Sequence, residues 1–211
     1  MGIRRTLPPR DVGSKNVRKC RPIEARNGRL WRDVKIDLTY DGLLLSSTDK
    51  HARVKNKNQI RFDLDKQLYE VWLAGSFKRF QLEENHMYEA ALQFGDIVFV
   101  PLLARKMNAS CRLEIQFLRT EHAGEITHGG DLDNRMKTLL DALRLPQNDS
   151  EIVAELADQK FGDERPCVCL LEDDALVTEL IIRTRRIMKP MPKNHVRLVI
   201  SAEFNPSDFE R

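Results

Sequence analysis

Two runs of closely spaced carboxylates carry the chemistry in this sequence. One is Gly130-Asp131-Leu132-Asp133-Asn134-Arg135-Met136-Lys137, continuing through Thr138-Leu139-Leu140-Asp141-Ala142-Leu143; the other is Leu171-Glu172-Asp173-Asp174-Ala175-Leu176-Val177. Three or four oxygens converging from two such segments make the hard donor set that Mg²⁺ or Mn²⁺ prefers. Metal ions so held activate a water and stabilise a leaving oxygen in an in-line phosphodiester displacement. Phosphodiester chemistry is therefore the expectation.

The first run opens a helical pattern over residues 131 to 145, which ends near Pro146. On that helix Asp133, Lys137 and Asp141 are spaced four apart and drift by about 40° per step, so they form one polar stripe. Met136, Leu139, Leu140 and Leu143 form an apolar stripe about a quarter turn away, free to face a sheet while the charged stripe looks along its edge. Each polar residue also has an ordinary role open to it. Asp131 or Asp133 can cap the helix, and Lys137 with Asp141 can form an i, i+4 ion pair. Asp63-Leu64-Asp65-Lys66 likewise opens an amphipathic pattern with no second acidic cluster to answer it, so Asp63→Asn and Asp65→Asn are expected to be nearly silent. The second run differs because a β-alternating stretch follows at once, with Leu176, Leu180 and Ile182 on one face and Val177 and Ile181 on the other. A carboxylate at the start of a strand is held stiffly.

The remaining elements follow from periodicity. Val34, Ile36, Leu38 and Tyr40 alternate with polar residues as in a half-buried strand, and Asp41-Gly42 is expected to break it. Leu64, Leu68, Val71 and Trp72 predict a helix over 62 to 73, and a weaker helical pattern runs from about Leu82 to Phe94. Ile97 to Leu103 and Cys111 to Phe117 read as two strands paired around Lys106-Met107-Asn108-Ala109. Residues 149 to 158 read as a short helix, 159 to 166 as a loop, and two strands follow at about 174 to 184 and 194 to 203. The order β, α, α, β, β, α, β, β predicts an α+β fold with a single mixed sheet and helices packed on it.

Length and composition set the frame. With 211 residues of which 41% are hydrophobic, the chain can bury one core but is short for two full domains. We read residues 1 to 30 as a basic, irregular extension and 31 to 211 as the domain. No apolar run approaches the roughly 20 residues that span a bilayer, and no apolar signal core follows the first residues, so a cytoplasmic protein without a membrane partner is expected. Cys20 and Cys111 stand alone and Cys167 with Cys169 form a C-x-C pair, which fits neither a zinc knuckle nor a C-x-x-C redox motif; reduced thiols packed in strands are expected. Net charge is only +3, yet residues 1 to 36 hold eleven Arg and Lys, Arg4 and Arg5 among them, against three acidic residues. Further basic clusters contain Lys55 and Lys57, then Arg185 and Arg186. Such clusters suit a phosphate backbone, where each contact releases condensed counterions, and these six residues together with Arg135 are the expected DNA contacts.

Other motifs fail. An EF-hand would need Gly and Glu where Met136 and Ala142 stand. Asn134 breaks the apolar flanks that a nucleotidyltransferase needs, and Gly129-Gly130-Asp131 lacks the residues that should follow in a nucleotidyl cyclase. Glu121, His122, Glu125 and His128 have no ordered zinc spacing.

Asp131-Leu132-Asp133-Asn134, Lys137, Leu140-Asp141-Ala142-Leu143 and Asp173-Asp174-Ala175 with Val177 resemble the RusA family of Holliday junction endonucleases, in the longer form of its prophage-type relatives. Tyr40-Asp41-Gly42-Leu43 and a terminal strand at Val196-Arg197-Leu198 are similar in placement, so the likeness spans residues 34 to 203. The resemblance implies a RusA-like fold and Mg²⁺ or Mn²⁺ as the cofactor, held by Asp131, Asp133 and Asp174 with Asp173 next. It also implies Lys137 as a phosphate or transition-state contact, 5′-phosphate and 3′-hydroxyl products, and a homodimer placing two sites on a four-way junction, with no small-molecule cofactor. Residues 144 to 172 intervene where the family has a short connection; within them Asn148-Asp149-Ser150 reads as a helix N-cap. Two rival classes stand beside this one. A non-catalytic DNA-binding or recombination-accessory protein would leave carboxylates facing DNA without a metal, and a nucleotide or phosphate enzyme without a polymer substrate would leave the basic clusters unexplained.

Overall fold

The computed structural model describes residues 34–46, 49–74, 90–94, 97–120, 132–152 and 165–206. The chain divides into Met1–Leu30 and Trp31–Arg211, and every element below belongs to the second unit. Among the described residues no helix is long and apolar enough to cross a membrane.

The alternating run at Val34 forms strand β1, Val34–Leu43, with Ile36, Leu38 and Tyr40 buried and Lys35, Asp37, Thr39 and Asp41 exposed. The expected break at Asp41-Gly42 does not occur. The Tyr40 ring lies across Gly42, and its hydroxyl donates to the Leu43 carbonyl at 2.7 Å. A Cβ at Gly42 would meet Tyr40 Oη at 2.5 Å, so this glycine makes room for a ring rather than a turn.

Helix α1, Lys50–Leu73, starts twelve residues before the expected position, capped by Asp49, whose side chain accepts from the His51 and Ala52 amides. Its apolar ridge, Ile60, Leu64, Leu68 and Trp72, is buried. The first half carries no such ridge because it buries polar groups instead. Asn56 Oδ1 accepts from the Leu45 amide and its Nδ2 donates to the Leu43 carbonyl, while Asn58 Nδ2 donates to the carbonyls of Val54 and Glu151. Polar side chains matched to backbone groups are tolerated inside a core, and hydrophobic periodicity does not register them. Asp63 and Asp65 therefore lie inside a helix rather than opening one.

Strands β2, Leu92–Phe94, and β3, Ile97–Leu103, pair antiparallel, so the weak helical pattern to Phe94 ends in a strand; residues 82–89 lie outside the described residues. The expected pairing of β3 with β4, Ala109–Arg119, is also overturned. Between them a 3₁₀ turn at Arg105–Met107 and a left-handed Asn108 send the chain into another sheet. Helix α2, Leu132–Leu143, buries Met136, Leu139, Ala142 and Leu143. Asp149–Glu151 is a single 3₁₀ turn, and the Asn148 side chain does not cap it. Strand β5, Cys167–Leu171, had no alternating signal because both of its faces are buried. Strands β6, Val177–Arg186, and β7, His195–Pro206, complete the chain.

The α+β class stands, but the single sheet is corrected to two. One is four-stranded in the order β1-β7-β4-β6, the other three-stranded in the order β2-β3-β5, and each mixes parallel and antiparallel pairs. One face of the larger sheet is apolar, with Ile36, Leu38, Leu113, Ile115, Phe117, Leu198 and Ile200 in a core shared with both helices and with Val168 and Leu170 of β5. Cys111, Cys167 and Cys169 are buried free thiols, and burial pushes the Cys111 thiol up to about 12.

Candidate active site

Four of the polar residues singled out in the sequence come together. An open cleft of about 470 Å³ lies between α2 and β6, lined by Asp133, Lys137 and Asp141 from the helix and by Asp174, with Leu132, Met136, Leu140, Leu180 and Ile182 as its apolar walls. The stripe is a direct product of four-residue spacing on a helix. Tertiary pairing supplies Asp174. The Glu172 amide donates to the Leu103 carbonyl at 2.8 Å, and the Glu172 carboxylate accepts from the Arg105 amide at 2.7 Å, so the end of β3 fixes the residue just before the acidic pair. Asp173 then caps the 3₁₀ turn Asp174–Leu176, accepting from the Ala175 amide at 2.8 Å and pairing with Arg105 at 2.9 Å. The Ala175 amide, and then the Arg105 guanidinium, hold its carboxyl below the usual range. Asp173 thus positions Asp174 and lines a different cleft, beside Leu92, Arg105 and Leu145.

Asp131 lies outside the described residues. Asp133 is exposed at the first turn of α2, where the helix N-terminus favours negative charge. Lys137 does not take the ion pair with Asp141 that the spacing allowed. Asp141 instead meets Lys57 at 3.4 Å and Arg144 at 3.1 Å, and both cations also reach Glu151, at 3.7 and 3.3 Å. This cluster joins α1, the end of α2 and the 3₁₀ turn after it, and it occupies Asp141 with structure. Lys137 remains exposed and lines the cleft.

Two of the expected DNA contacts are buried. Lys57 is 4% exposed and belongs to the ion cluster just described. Arg135 is 1% exposed, and its guanidinium donates to Asn194 Oδ1 at 3.0 Å. Their long side chains point inward because the helix faces carrying them are packed. Lys55, Arg185 and Arg186 are exposed, while Arg4 and Arg5 lie outside the described residues. Spacing did not mark Leu180 and Ile182 as walls of the cleft. Their alternation reads as core, and they are half open on a strand that, among the described residues, pairs only with β4.

Carboxylate oxygens are the donor type that a small hard cation takes. Among the described residues no group of three or more His, Cys, Asp and Glu side chains is arranged to hold a metal ion. Two carboxylates on one cleft nevertheless match the usual Mg²⁺ pattern, in which one or two carboxylates hold the ion and substrate phosphate with water completes the shell. Comparison of the chain with protein-family models, with curated proteins and with solved structures returns no match.

Proposed function

We propose that this chain is a metal-dependent, structure-selective DNA endonuclease acting on four-way junctions or related branches. The observation that carries the reading is the cleft that Asp133 and Asp174, distant in sequence, line together with an exposed Lys137. Mg²⁺ or Mn²⁺ bound by Asp133, Asp174 and the adjoining Asp131 would supply water activation and stabilisation of the leaving oxygen. The chain's own residues do the rest. The two carboxylates fix where a phosphate can approach, and Lys137, one turn beyond Asp133, offsets charge developing on the scissile group. Lys55, Arg185, Arg186 and the basic residues of the N-terminal extension provide sequence-independent affinity.

The direct test is incubation of the purified protein with a labelled four-way junction and a matched duplex, each with and without Mg²⁺. Junction cleavage that requires the metal supports the reading; a metal-dependent loss of neither substrate sinks it. A second reading, a non-catalytic junction-binding protein, draws on the want of a three-carboxylate group among the described residues. It predicts junction binding with no cleavage at any metal concentration.

Two further results are expected. Lys137→Ala lowers the single-turnover cleavage rate about 100-fold while junction affinity changes little, since its charge matters most in the transition state; an equal fall in rate and affinity would make it an ordinary backbone contact. Deleting residues 1–30 removes nine Arg and Lys and two acidic residues. Binding to junction and duplex should weaken alike, and the log affinity against log salt slope should flatten by about 0.9 for every phosphate that the extension neutralises. An unchanged slope would show that the extension does not touch DNA.

A further inference from the structure

From the middle of β6 to the middle of β7 the chain carries positive charge alone. Residues 180–202 contain no Asp or Glu and six Arg and Lys, namely Arg183, Arg185, Arg186, Lys189, Lys193 and Arg197. Among the described residues Arg183 and Arg197 have carboxylate partners, Glu114 and Asp41, while Arg185, Arg186, Lys189 and Lys193 have none and are exposed. The β6–β7 connection also holds Met188, 83% exposed where the next most exposed large apolar side chain described, Leu73, is at 50%. Both ends of the connection are pinned. The Ile187 amide donates to the Arg119 carbonyl at 2.7 Å. At the other end Asn194, left-handed at φ 62°, accepts the Leu44 amide on its carbonyl and the Arg135 guanidinium on Oδ1, each at 3.0 Å. Pro190 and Pro192 stiffen the six residues between these points. Arg135 lies on α2 between Asp133 and Lys137, so the connection and the carboxylate cleft are built on one helix.

We propose that this connection is an arm that enters a groove of duplex DNA, with Arg185, Arg186, Lys189 and Lys193 on the phosphates and Met188 wedged against a base step. The charge selects a polyanion, since exposed cations without carboxylate partners bind where phosphates neutralise them and condensed counterions are released. The apolar tip then decides between a bilayer and a nucleic acid. Binding to an anionic bilayer scales with the apolar area buried in it, and one methionine beside prolines offers little. A base step needs only one apolar side chain. Methionine is among those that proteins insert there, partly unstacking the step and bending the duplex by about 20–90°. The arm rests on the nuclease reading for its partner, DNA, but not for cleavage. It grips a duplex limb away from the scissile phosphate, and its footing on α2 fixes that limb relative to Asp133 and Lys137.

The test mixes the full chain, in EDTA, with a linear duplex of about 20 base pairs carrying a donor dye at one end and an acceptor at the other. Energy transfer should rise on binding as the duplex bends. Met188→Ser should still bind, with an unchanged salt slope, but lose the rise in transfer, and Met188→Leu should restore it. Changing Lys189→Gln and Lys193→Gln together should flatten the log affinity against log salt slope by about 1.8, two phosphates at about 0.9 each. Circular dichroism checks that each variant is folded, which the exposure of these side chains favours. A duplex left straight by the unaltered chain, bending that survives Met188→Ser, a slope unmoved by the double lysine change, or binding to vesicles of anionic phospholipid in place of duplex would each overturn the proposal. Bending that depends on Met188 supports the arm whether or not Mg²⁺ then brings junction cleavage, so failure of the nuclease reading is told apart from failure of the arm.

Discussion

Asp133→Asn and Asp174→Asn are each expected to lower Mg²⁺-dependent junction cleavage by about 100- to 1000-fold, the scale of losing several kcal/mol of charge stabilisation in the transition state. Asp131→Asn should behave likewise. Asparagine keeps the side-chain volume and removes one ligand charge. Both described positions are exposed, so thermal unfolding should shift by no more than about the 0.3–1 kcal/mol that a charge at a helix N-terminus is worth. Junction binding without metal should hold or tighten, since each change removes a carboxylate from the neighbourhood of a phosphate. Cleavage assays under single-turnover conditions, beside a metal-free binding titration, separate the two effects. Full activity in any two of these variants would remove the proposed metal site.

Asp65→Ala should give the largest loss of stability, at a position that the sequence pattern reads as part of a helix start. Asp65 is 1% exposed, and its carboxylate meets Arg165 at 2.7 and 3.3 Å and accepts from the Val168 amide at 2.7 Å. It thereby fastens α1 to the start of β5. The Arg165 guanidinium in turn lies over the Tyr69 ring, 4.4 Å from its centroid. Removing the carboxylate strands a cation and a buried amide, at a cost of about 3 kcal/mol. For a chain of this size that corresponds to a drop of about 6–12 °C in Tm. Asp63→Ala, one position before Leu64, should cost about 1 kcal/mol or less, since Asp63 is only half-buried and accepts from Gln59 within its own helix at 2.8 Å. Thermal melts of the two variants side by side make the comparison. Equal melting temperatures would show that the α1 to β5 fastening carries no weight.

Local periodicity determined the parts of this protein that depend on one segment at a time. The β1 alternation, the ridge of α1 and the polar stripe Asp133-Lys137-Asp141 follow from the geometry of a strand or a helix, and those rules need only neighbouring residues. Tertiary structure decided what depends on partners far along the chain. It divided the strands between two sheets, because a turn at Arg105–Met107 redirects the chain where pattern alone suggested a hairpin. It turned Lys57 and Arg135 inward, and it drew Asp141 to a lysine 84 positions away rather than to Lys137. It separated Asp173 from Asp174, two adjacent carboxylates of the same chemistry, by giving one a backbone amide and an arginine and the other the cleft. A charged residue's role is fixed by which counter-charge or amide reaches it after packing, and sequence spacing carries no record of that distance.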